Sequence, residues 1–364
     1  MKVFCIRALA LVVAFSGCMV GTLFAGDKGH MVYTMSNAQA ENAVLAFEQR
    51  GDTLVPAGTF STEGKGSGGG LGNQGALTFS EDGETLLVAN PGSDDISVFR
   101  IDDQGLTLVD KVGSGGISPI SIAAHEDWVY VLNAGGAGNI TGFELTSHDK
   151  LKPIPGSTRP LSGLATAPAQ VEFNPSGDTL VVTEKASKTI DTYTVDEHGV
   201  ATGPLSQPSN GVTPFGFSFN KRGVLIVSEA FGGAANASAV SSYAIDKGAL
   251  TLISGSVPDF QSAICWIVVT KNGKFAYGSN TGSNTISSYQ VTRRGKLILQ
   301  EAIATYTGAG PIDMALSRNS KFLYVLNSGA HSIEVFRVDR GDGHLTRGTG
   351  TSGLPAGANG LVAR

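Results

Sequence analysis

One pattern of apolar and polar residues recurs along the whole chain. Each copy has a short apolar run, an Asn or Glu near its end, a polar loop, and a second run with an apolar residue three positions before a closing Phe or Tyr. Short runs of this kind, with no helical period between them, indicate β-strands. The copies span residues 32–47, 86–99, 129–143, 180–193, 225–243, 276–289 and 323–336.

Further strand candidates lie on both sides of these copies. A polar turn and an outer strand follow the closing aromatic, as at 104–108, 247–252 and 295–299. Inner strands precede the copies at 76–79, 119–123, 170–173, 215–219, 264–269 and 311–316. Glycine-containing turns, which supply positive φ, join inner strands to the next. The pattern predicts an all-β fold, a seven-bladed β-propeller with four-stranded antiparallel blades.

The two ends of the chain complement each other. The first copy begins at Met31 without a preceding inner strand, and residues 356–362 have the small, apolar character of an inner strand with no partner after it. We expect the C-terminal strand to join the N-terminal blade and close the ring, which removes exposed sheet edges. C-terminal truncation should therefore be destabilising. An array of two sandwiches is the alternative.

The N-terminal residues have the features of a secretory signal peptide. Lys2 and Arg7 precede an apolar stretch that ends at Ala25. This predicts cleavage after Ala25, a signal peptide over 1–25, and a single propeller domain over 26–364 that is secreted or periplasmic.

Two alternatives to cleavage stay open at this stage. The apolar stretch over 8–24 is at the short limit for an uncleaved membrane anchor. Cys18 follows a small-residue pair that loosely resembles a bacterial lipoprotein site. With cleavage after Ala25, the mature chain has no membrane span.

Composition narrows the class of partner. The 364 residues include 31 acidic and 26 basic side chains, a net charge of −5, without a run of Lys or Arg. This excludes the electrostatic surface that nucleic acid binding requires. Cleavage would leave Cys265 as the sole cysteine, so no intramolecular disulfide is expected. The six histidines lack metal-ligand spacing, and we expect neither a metal nor a cofactor.

The repeats resemble a known family of propellers. The lactonase-type family, with its 6-phosphogluconolactonase-like and carboxymuconate-cyclase-like members, has similar units with a downstream Ile-x-x-Phe or Ile-x-x-Tyr. The resemblance covers about Met31 to Arg364 and implies a small-molecule lactone or sugar acid as ligand. It is carried by Tyr130-Val131-Leu132-Asn133, Tyr324-Val325-Leu326-Asn327 and Ser279-Asn280.

The catalytic set of the family's cyclase members matches this chain only in part. That set contains a His, two Arg and a Glu on one face of the ring. The His position falls on Ala169 or Gln170, the first Arg on Phe215 and the second on Thr281. Only Glu229 retains the family's residue type, so the resemblance implies the fold more strongly than the reaction.

Polar residues at the ends of the second strands are the first candidate site. In a propeller they would form a ring at one mouth, and they are Asn37, Asn90, Asn133, Glu184, Glu229, Asn280 and Asn327. Either this ring binds a ligand, or the asparagines adopt left-handed conformations and bond their own loops. Glu184 and Glu229, in adjacent units, could act as a catalytic acid and base. Pairing of Glu184 with Lys185 or Lys188 is the alternative.

Four further residues are candidate ligand contacts. The glycine-rich stretch 64–75 is either a flexible connection or a loop over the ring mouth that presents Asn73 and Gln74. Phe215 stands where the family has an arginine. Trp266 would either stack on a ring-shaped ligand or pack in the core.

Two functions from different classes are consistent with the sequence. The first is metal-independent lactone hydrolysis, in which Glu229 or Glu184 activates water and nearby Asn amides polarise the carbonyl. The second is a non-catalytic propeller that binds a protein or a glycan, which the unmatched His and Arg positions favour. The sequence leaves open which applies, and it does not predict an oligomeric state.

Overall fold

A computed structural model describes residues 30–103 and 105–364. The predicted signal peptide, including Cys18, lies outside these residues. Within them, no helix is long and apolar enough to cross a membrane. We name the four strands of each blade a to d, from the ring axis outward.

Seven antiparallel sheets form the ring, as the sequence predicts. Blade 1 contains β1 (Met31–Met35), β2 (Ala43–Arg50) and β3 (Thr53–Ser61) as strands b to d. Blade 2 contains β4 (Leu77–Phe79), β5 (Thr85–Asn90), β6 (Asp95–Asp102) and β7 (Gly105–Gly113). Blade 3 contains β8 (Pro119–His125), β9 (Trp128–Asn133), β10 (Asn139–Leu145) and a strand d divided into β11 (Leu151–Pro153) and β12 (Arg159–Pro160).

The second half of the chain repeats this order. Blade 4 contains β13 (Pro168–Phe173), β14 (Thr179–Glu184), β15 (Thr189–Val195) and β16 (Ala201–Pro208). Blade 5 contains β17 (Pro214–Phe219), β18 (Leu225–Glu229), β19 (Ala239–Asp246) and β20 (Ala249–Pro258), with a 3-10 turn at Phe231–Gly233. Blade 6 contains β21 (Ile264–Val269), β22 (Phe275–Asn280), β23 (Thr285–Val291) and β24 (Leu297–Tyr306).

Blade 7 and the last strand complete the ring. Blade 7 contains β25 (Pro311–Leu316), β26 (Phe322–Asn327), β27 (Ser332–Val338) and a divided strand d, β28 (Leu345–Arg347) and β29 (Thr351–Ser352). The final strand β30 (Asn359–Ala363) is strand a of blade 1. The a–b and c–d turns lie on one face of the ring, which we call the turn face. The b–c and d–a connections lie on the opposite face, the loop face.

The a–b turns depend on residues with positive φ. The predicted glycines adopt it, with φ values of 76°, 73°, 77° and 69° at Gly83, Gly177, Gly223 and Gly273. The corresponding turns of blades 3 and 7 use Glu126 (φ 46°) and Ser320 (φ 51°) instead.

Buried tyrosines join neighbouring blades. The Tyr130 hydroxyl of blade 3 donates to the Gly199 carbonyl of blade 4 at 2.7 Å and accepts from the Ala201 N–H at 2.8 Å. Tyr277 of blade 6 donates to Gly343 of blade 7 at 2.6 Å. Each ring is fully buried while its polar end is satisfied across the blade boundary. This accounts for the aromatic residue that the repeat places in strand b.

Strand β30 closes the ring by pairing with β1, as the chain ends predict. Tyr33 lies opposite Val362, and Met35 lies opposite Asn359. The Thr34 hydroxyl donates to the Asn359 carbonyl at 3.2 Å. The first and last strands thus belong to one sheet, and β1 has a partner on both sides.

Removing residues 359–364 would delete β30 and expose β1. In the full-length chain, Leu361→Ala should cost about 2–5 kcal/mol, because Leu361 is buried between blades. The truncation should cost more, since it also removes the pairing. Denaturant unfolding would measure both. Ser352→Ala, on the exposed strand β29, is the control and should stay within about 0.5 kcal/mol of the wild type. A truncated chain as stable as this control would refute the closure.

Candidate functional site

A cavity of about 420 Å³ lies on the ring axis, which we call the channel. Inner strands of six blades line it, together with the a–b turns at Pro175 and Lys221. The channel therefore reaches the turn face. At its other end it is bounded by Gln74 and Gly75, from the d–a connection between blades 1 and 2.

This d–a connection covers the loop-face end of the channel. Asn73 accepts a hydrogen bond from the indole N–H of Trp266 at 2.7 Å, and its own amide donates to the Ile120 carbonyl. The Gln74 side chain donates to the Ile267 carbonyl at 3.0 Å and accepts from the Ile267 N–H at 3.3 Å. Residues 73–74 thus bridge blades 3 and 6 across the axis. The sequence left open whether stretch 64–75 is a flexible connection or a loop over the ring mouth. In the structure it is a loop over the mouth.

Lys185 holds the same connection from blade 4. Its ammonium donates to the Gly72 carbonyl and, at 3.0 Å, to the Pro168 carbonyl. It also lies 4.7 Å from the centre of the Phe215 ring. Burial lowers the pKa of Lys185 to about 8. Lys185 therefore fixes the cover in place. Among the described residues Glu184 forms an ion pair with neither Lys185 nor Lys188, so the alternative that it is paired with one of them is wrong.

Three predicted ligand contacts come together at this end. Gln74, Phe215 and Trp266 are all buried, and the rings of Phe215 and Trp266 have centroids 5.0 Å apart. Of these three, Gln74 lines the channel. The two aromatic residues pack against each other and beneath the cover. Their roles as ligand contacts stay predictions.

The predicted catalytic carboxylates lie elsewhere, inside their own blades. Glu229 is fully buried and accepts hydrogen bonds from the Gly211 N–H at 2.8 Å and from the Ser241 and Ser256 hydroxyls at 2.5 and 2.6 Å. Burial raises its pKa, and these donors oppose the rise. A Cβ at Gly211 would lie 2.1 Å from a Glu229 oxygen, so only glycine permits this approach.

Glu184 occupies the same place in blade 4. It is fully buried and accepts from the Ser162 N–H at 3.0 Å and the Ser187 hydroxyl at 2.6 Å. The carboxylates of Glu184 and Glu229 have no bonding partner in common. Both lack exposure to a mouth of the ring, and their catalytic roles stay predictions.

The asparagines of the predicted ring are also buried side chains, and they bond both within their own blades and to neighbouring blades or d–a connections. Asn90 donates to Asp95 at 2.7 Å and to Ser97 at 2.8 Å, and Asn280 donates to Ser287 at 2.8 Å. Asn133 donates to the Ser114 carbonyl at 3.2 Å, and Asn327 to Ser332 at 3.3 Å.

We call Asn37, Asn90, Asn133, Glu184, Glu229, Asn280 and Asn327 the strand-end nodes. Most of them also bond or contact a d–a connection. Only Asn37 has a positive φ, of 49°, and it lies beyond β1. The left-handed interpretation is therefore wrong for Asn90, Asn133, Asn280 and Asn327, whose amides donate to strand c of their blade or to the d–a connection rather than to their own b–c loop. Their roles in ligand binding stay predictions.

Two carboxyl groups that the sequence analysis passed over line the channel. Burial raises the pKa of Glu172 to about 8. Burial also raises the pKa of Asp313 well above its usual range, although backbone N–H groups of Met314 and Leu361 oppose the rise. Glu172 keeps partial exposure because it faces the cavity, whereas Asp313 is almost fully buried. Burial thus favours the protonated form of both channel acids, and Glu172 titrates near neutral pH.

Gln170 positions Glu172. Its side-chain amide donates to Glu172 Oε2 at 2.9 Å and to the Phe217 carbonyl at 3.0 Å, while its oxygen accepts from the Phe217 N–H at 2.7 Å. The glutamine therefore links the inner strands of blades 4 and 5 and fixes one Glu172 oxygen. The sequence signal for Glu172 was a charged residue two positions after Gln170, in an otherwise apolar inner strand. The same signal marks Asp313.

A second acidic pair is buried within blade 4. Asp191 and Glu184 are both fully buried. Burial, together with the negative charge of Glu184, raises the pKa of Asp191 to about 7. Asp191 is therefore protonated below neutral pH. Within the described residues, no group of three or more His, Cys, Asp or Glu side chains is arranged to hold a metal ion.

Comparison with known protein families agrees with the seven-bladed fold. A family model described as "Lactonase, 7-bladed beta-propeller" matches residues 22–155 and 258–358, more than half of the chain. No curated protein matches.

Solved structures are similar over nearly the whole chain. A putative 6-phosphogluconolactonase from Bacteroides fragilis has a TM-score of 0.74 at 18% identity, covering 93% of this chain and 99% of that one. The periplasmic gluconolactonase PpgL of Pseudomonas aeruginosa has a TM-score of 0.70 at 17% identity, covering 91% and 98%. At such identities the likeness shows the fold.

The raised pKa of Asp191 predicts a pH dependence of stability. Because the folded state retains a proton that the unfolded state releases near pH 3.8, this group stabilises fully only at low pH. Its contribution should decline as pH rises towards about 7. Asp191→Asn should therefore raise the free energy of unfolding by roughly 2–4 kcal/mol at pH 8 and by much less at pH 5.

Urea unfolding between these pH values would measure the effect. Asp246→Asn, at an exposed position, is the matched control and should follow the wild-type profile. An Asp191→Asn profile parallel to that of the wild type would contradict the assignment.

Proposed function

The chain belongs to the lactonase family of seven-bladed β-propellers, and from that premise we propose that it hydrolyses a small lactone, or a sugar-acid lactone, within the channel. The observation that carries this proposal is the position of Glu172, a carboxyl group with a pKa of about 8 that lines an axial cavity of about 420 Å³. Cavities of roughly 300–1,000 Å³ are typical of small-molecule sites.

Glu172 has the properties of a general base for this reaction. As a carboxylate it takes a proton from water while the water oxygen attacks the lactone carbonyl carbon. The ring C–O bond then breaks, and the departing ring oxygen receives the proton, so that lactone and water give one hydroxy acid. A carboxylate with a pKa near 8 is a stronger base than an ordinary one, and Gln170 holds it in a fixed orientation.

Asp313 supplies a complementary group. Burial raises its pKa well above the usual range and so favours the protonated form, and a protonated carboxyl can donate a hydrogen bond to the oxygen that becomes negative during attack. Two carboxyl groups with raised pKa values in one cavity form an acid–base arrangement that needs no metal.

We also propose that the chain is exported. The features of residues 1–25 that predict a signal peptide support this, as does the printed description of PpgL as periplasmic. Retention through Cys18 would be the lipid-anchored variant of the same location.

The central experiment is a ring-opening assay of the purified protein from Gly26 onward against a panel of sugar-acid and aromatic lactones. We expect Glu172→Gln to lower kcat/KM by about a hundredfold or more, because the variant lacks the base. Glu229→Gln is matched to it as a change of one buried carboxylate. It should retain turnover and lose about 1–3 kcal/mol of stability, since three donors then face an amide.

The opposite result would assign catalysis to different residues. Loss of turnover in Glu229→Gln, with Glu172→Gln active and both variants folded, would support the roles predicted for Glu229 and Glu184 instead. No turnover by the wild type across the panel would refute hydrolysis of these substrates.

The pKa of Glu172 predicts the pH profile of the reaction. The base is its deprotonated form, so kcat/KM should rise with pH through a midpoint of about 8. Initial rates, corrected for spontaneous alkaline opening of the lactone at each pH, would measure it. In Glu172→Gln the corrected profile should lose this midpoint. A wild-type profile that is flat between pH 6 and 9 would exclude Glu172 as the base.

A further inference from the structure

The a–b turns of the turn face are segregated by charge. Those of blades 2, 3 and 4 carry acidic residues and no Lys or Arg, and those of blades 5, 6 and 7 carry basic residues and no Asp or Glu. The acidic arc consists of Glu81, Asp82, Glu84, Glu126, Asp127 and Asp178. The basic arc consists of Lys221, Arg222, Lys271, Lys274, Arg318 and Lys321. All twelve residues are exposed.

The outer c–d turns follow this division in blades 4 and 6, whereas those of blades 3, 5 and 7 carry both signs. Blade 4 presents Asp196 and Glu197, and blade 6 presents Arg293, Arg294 and Lys296, all exposed. The inner part of the turn face, formed by the a–b turns, is therefore negative over one contiguous half and positive over the other, with the channel mouth between the two halves. A net charge of −5 for the whole chain conceals this polarity.

The charges of the two arcs are not neutralised within the chain. Among the described residues, the salt bridge that involves any of the twelve is the one from Glu81 to His125, at 3.6 Å. The remaining ion pairs join other residues, such as Arg337 with Asp52 and Arg100 with Asp149. Arcs of like charge repel internally, so the face gains electrostatic energy from a partner of opposite pattern.

The segregated charges of the two arcs favour one kind of binding partner over others. A uniformly charged molecule would be attracted by one arc and repelled by the other, so it gains little from the face as a whole. A second copy turned by a two-fold axis in the plane of the face, along the boundary between the arcs, sets each acidic arc against a basic arc. An isologous contact of this kind satisfies both halves at once.

We propose that two copies of this chain associate through their turn faces, with the acidic arc of each against the basic arc of the other. The association brings the two channel mouths together, so it competes with ligand entry. Because it depends on exposed charges, it weakens as salt shortens the Debye length from about 30 Å at 10 mM to about 3 Å at 1 M.

Charge reversal tests the pairing. One variant converts Arg222, Lys274 and Arg318 to Glu, and its complement converts Glu84, Glu126 and Asp127 to Lys. Within residues 30–103 and 105–364, none of these six side chains makes a hydrogen bond or ion pair, so both variants should fold normally. Sedimentation velocity over a range of concentrations at about 10 mM salt would measure association.

The wild type should associate at low salt and dissociate at about 1 M. Each triple variant alone should associate at least about tenfold more weakly, since its face has mainly one sign. An equimolar mixture of the two variants should restore association, because unlike faces then meet. The control variant, with Lys65, Lys111 and Lys188 changed to Glu away from the turn face, should behave as the wild type.

Three results would overturn the proposal. They are a wild type that stays monomeric at low salt at every concentration, triple variants that associate as strongly as the wild type, and a mixture that stays as dissociated as its components. Circular dichroism of each variant would separate these results from loss of folding.

Discussion

The pairing of β30 with β1 is the constraint on which the rest of the structure depends. Because the last strand completes the first blade, all seven blades have an inner strand and these strands converge on one axis. The closing strand also contributes directly to the channel, where Leu361 lines the cavity and its backbone hydrogen-bonds Asp313. Closure and the environment of the channel acids are therefore coupled.

The two faces of the ring have different roles, one structural and one chemical. On the loop face, the strand-end nodes bury their polar groups and bind the d–a connections, as Glu229 binds Gly211. One connection extends further and covers the axis, fixed by Gln74, Lys185 and Trp266. The turn face leaves the channel accessible and carries the segregated charges. Polar residues that recur in every repeat thus stabilise the ring, and those that occur once, such as Glu172, are the candidates for chemistry.

This division explains what could be predicted from the sequence. Blade number, strand order and ring closure follow from apolar periodicity and turn glycines, because each repeat reports on its own local structure. The candidate site was harder, because repetition drew attention to Asn90, Glu229 and their equivalents, which share a buried architectural position. Glu172 and Asp313 are far apart in the chain, and they line the same channel only because the ring is closed. Their signal was a charge within an inner strand, which becomes meaningful once that strand is known to face a cavity.

The most direct test of the account is a crystal structure of the protein soaked or co-crystallised with the hydroxy acid product of a lactone that it opens. The account predicts that the ligand lies in the channel, with its carboxylate region beside Glu172 and Gln170 and with the cover formed by Asn73 and Gln74 still in place. A ligand bound on the loop face, with the cover displaced and the channel empty, would contradict the assignment of the site.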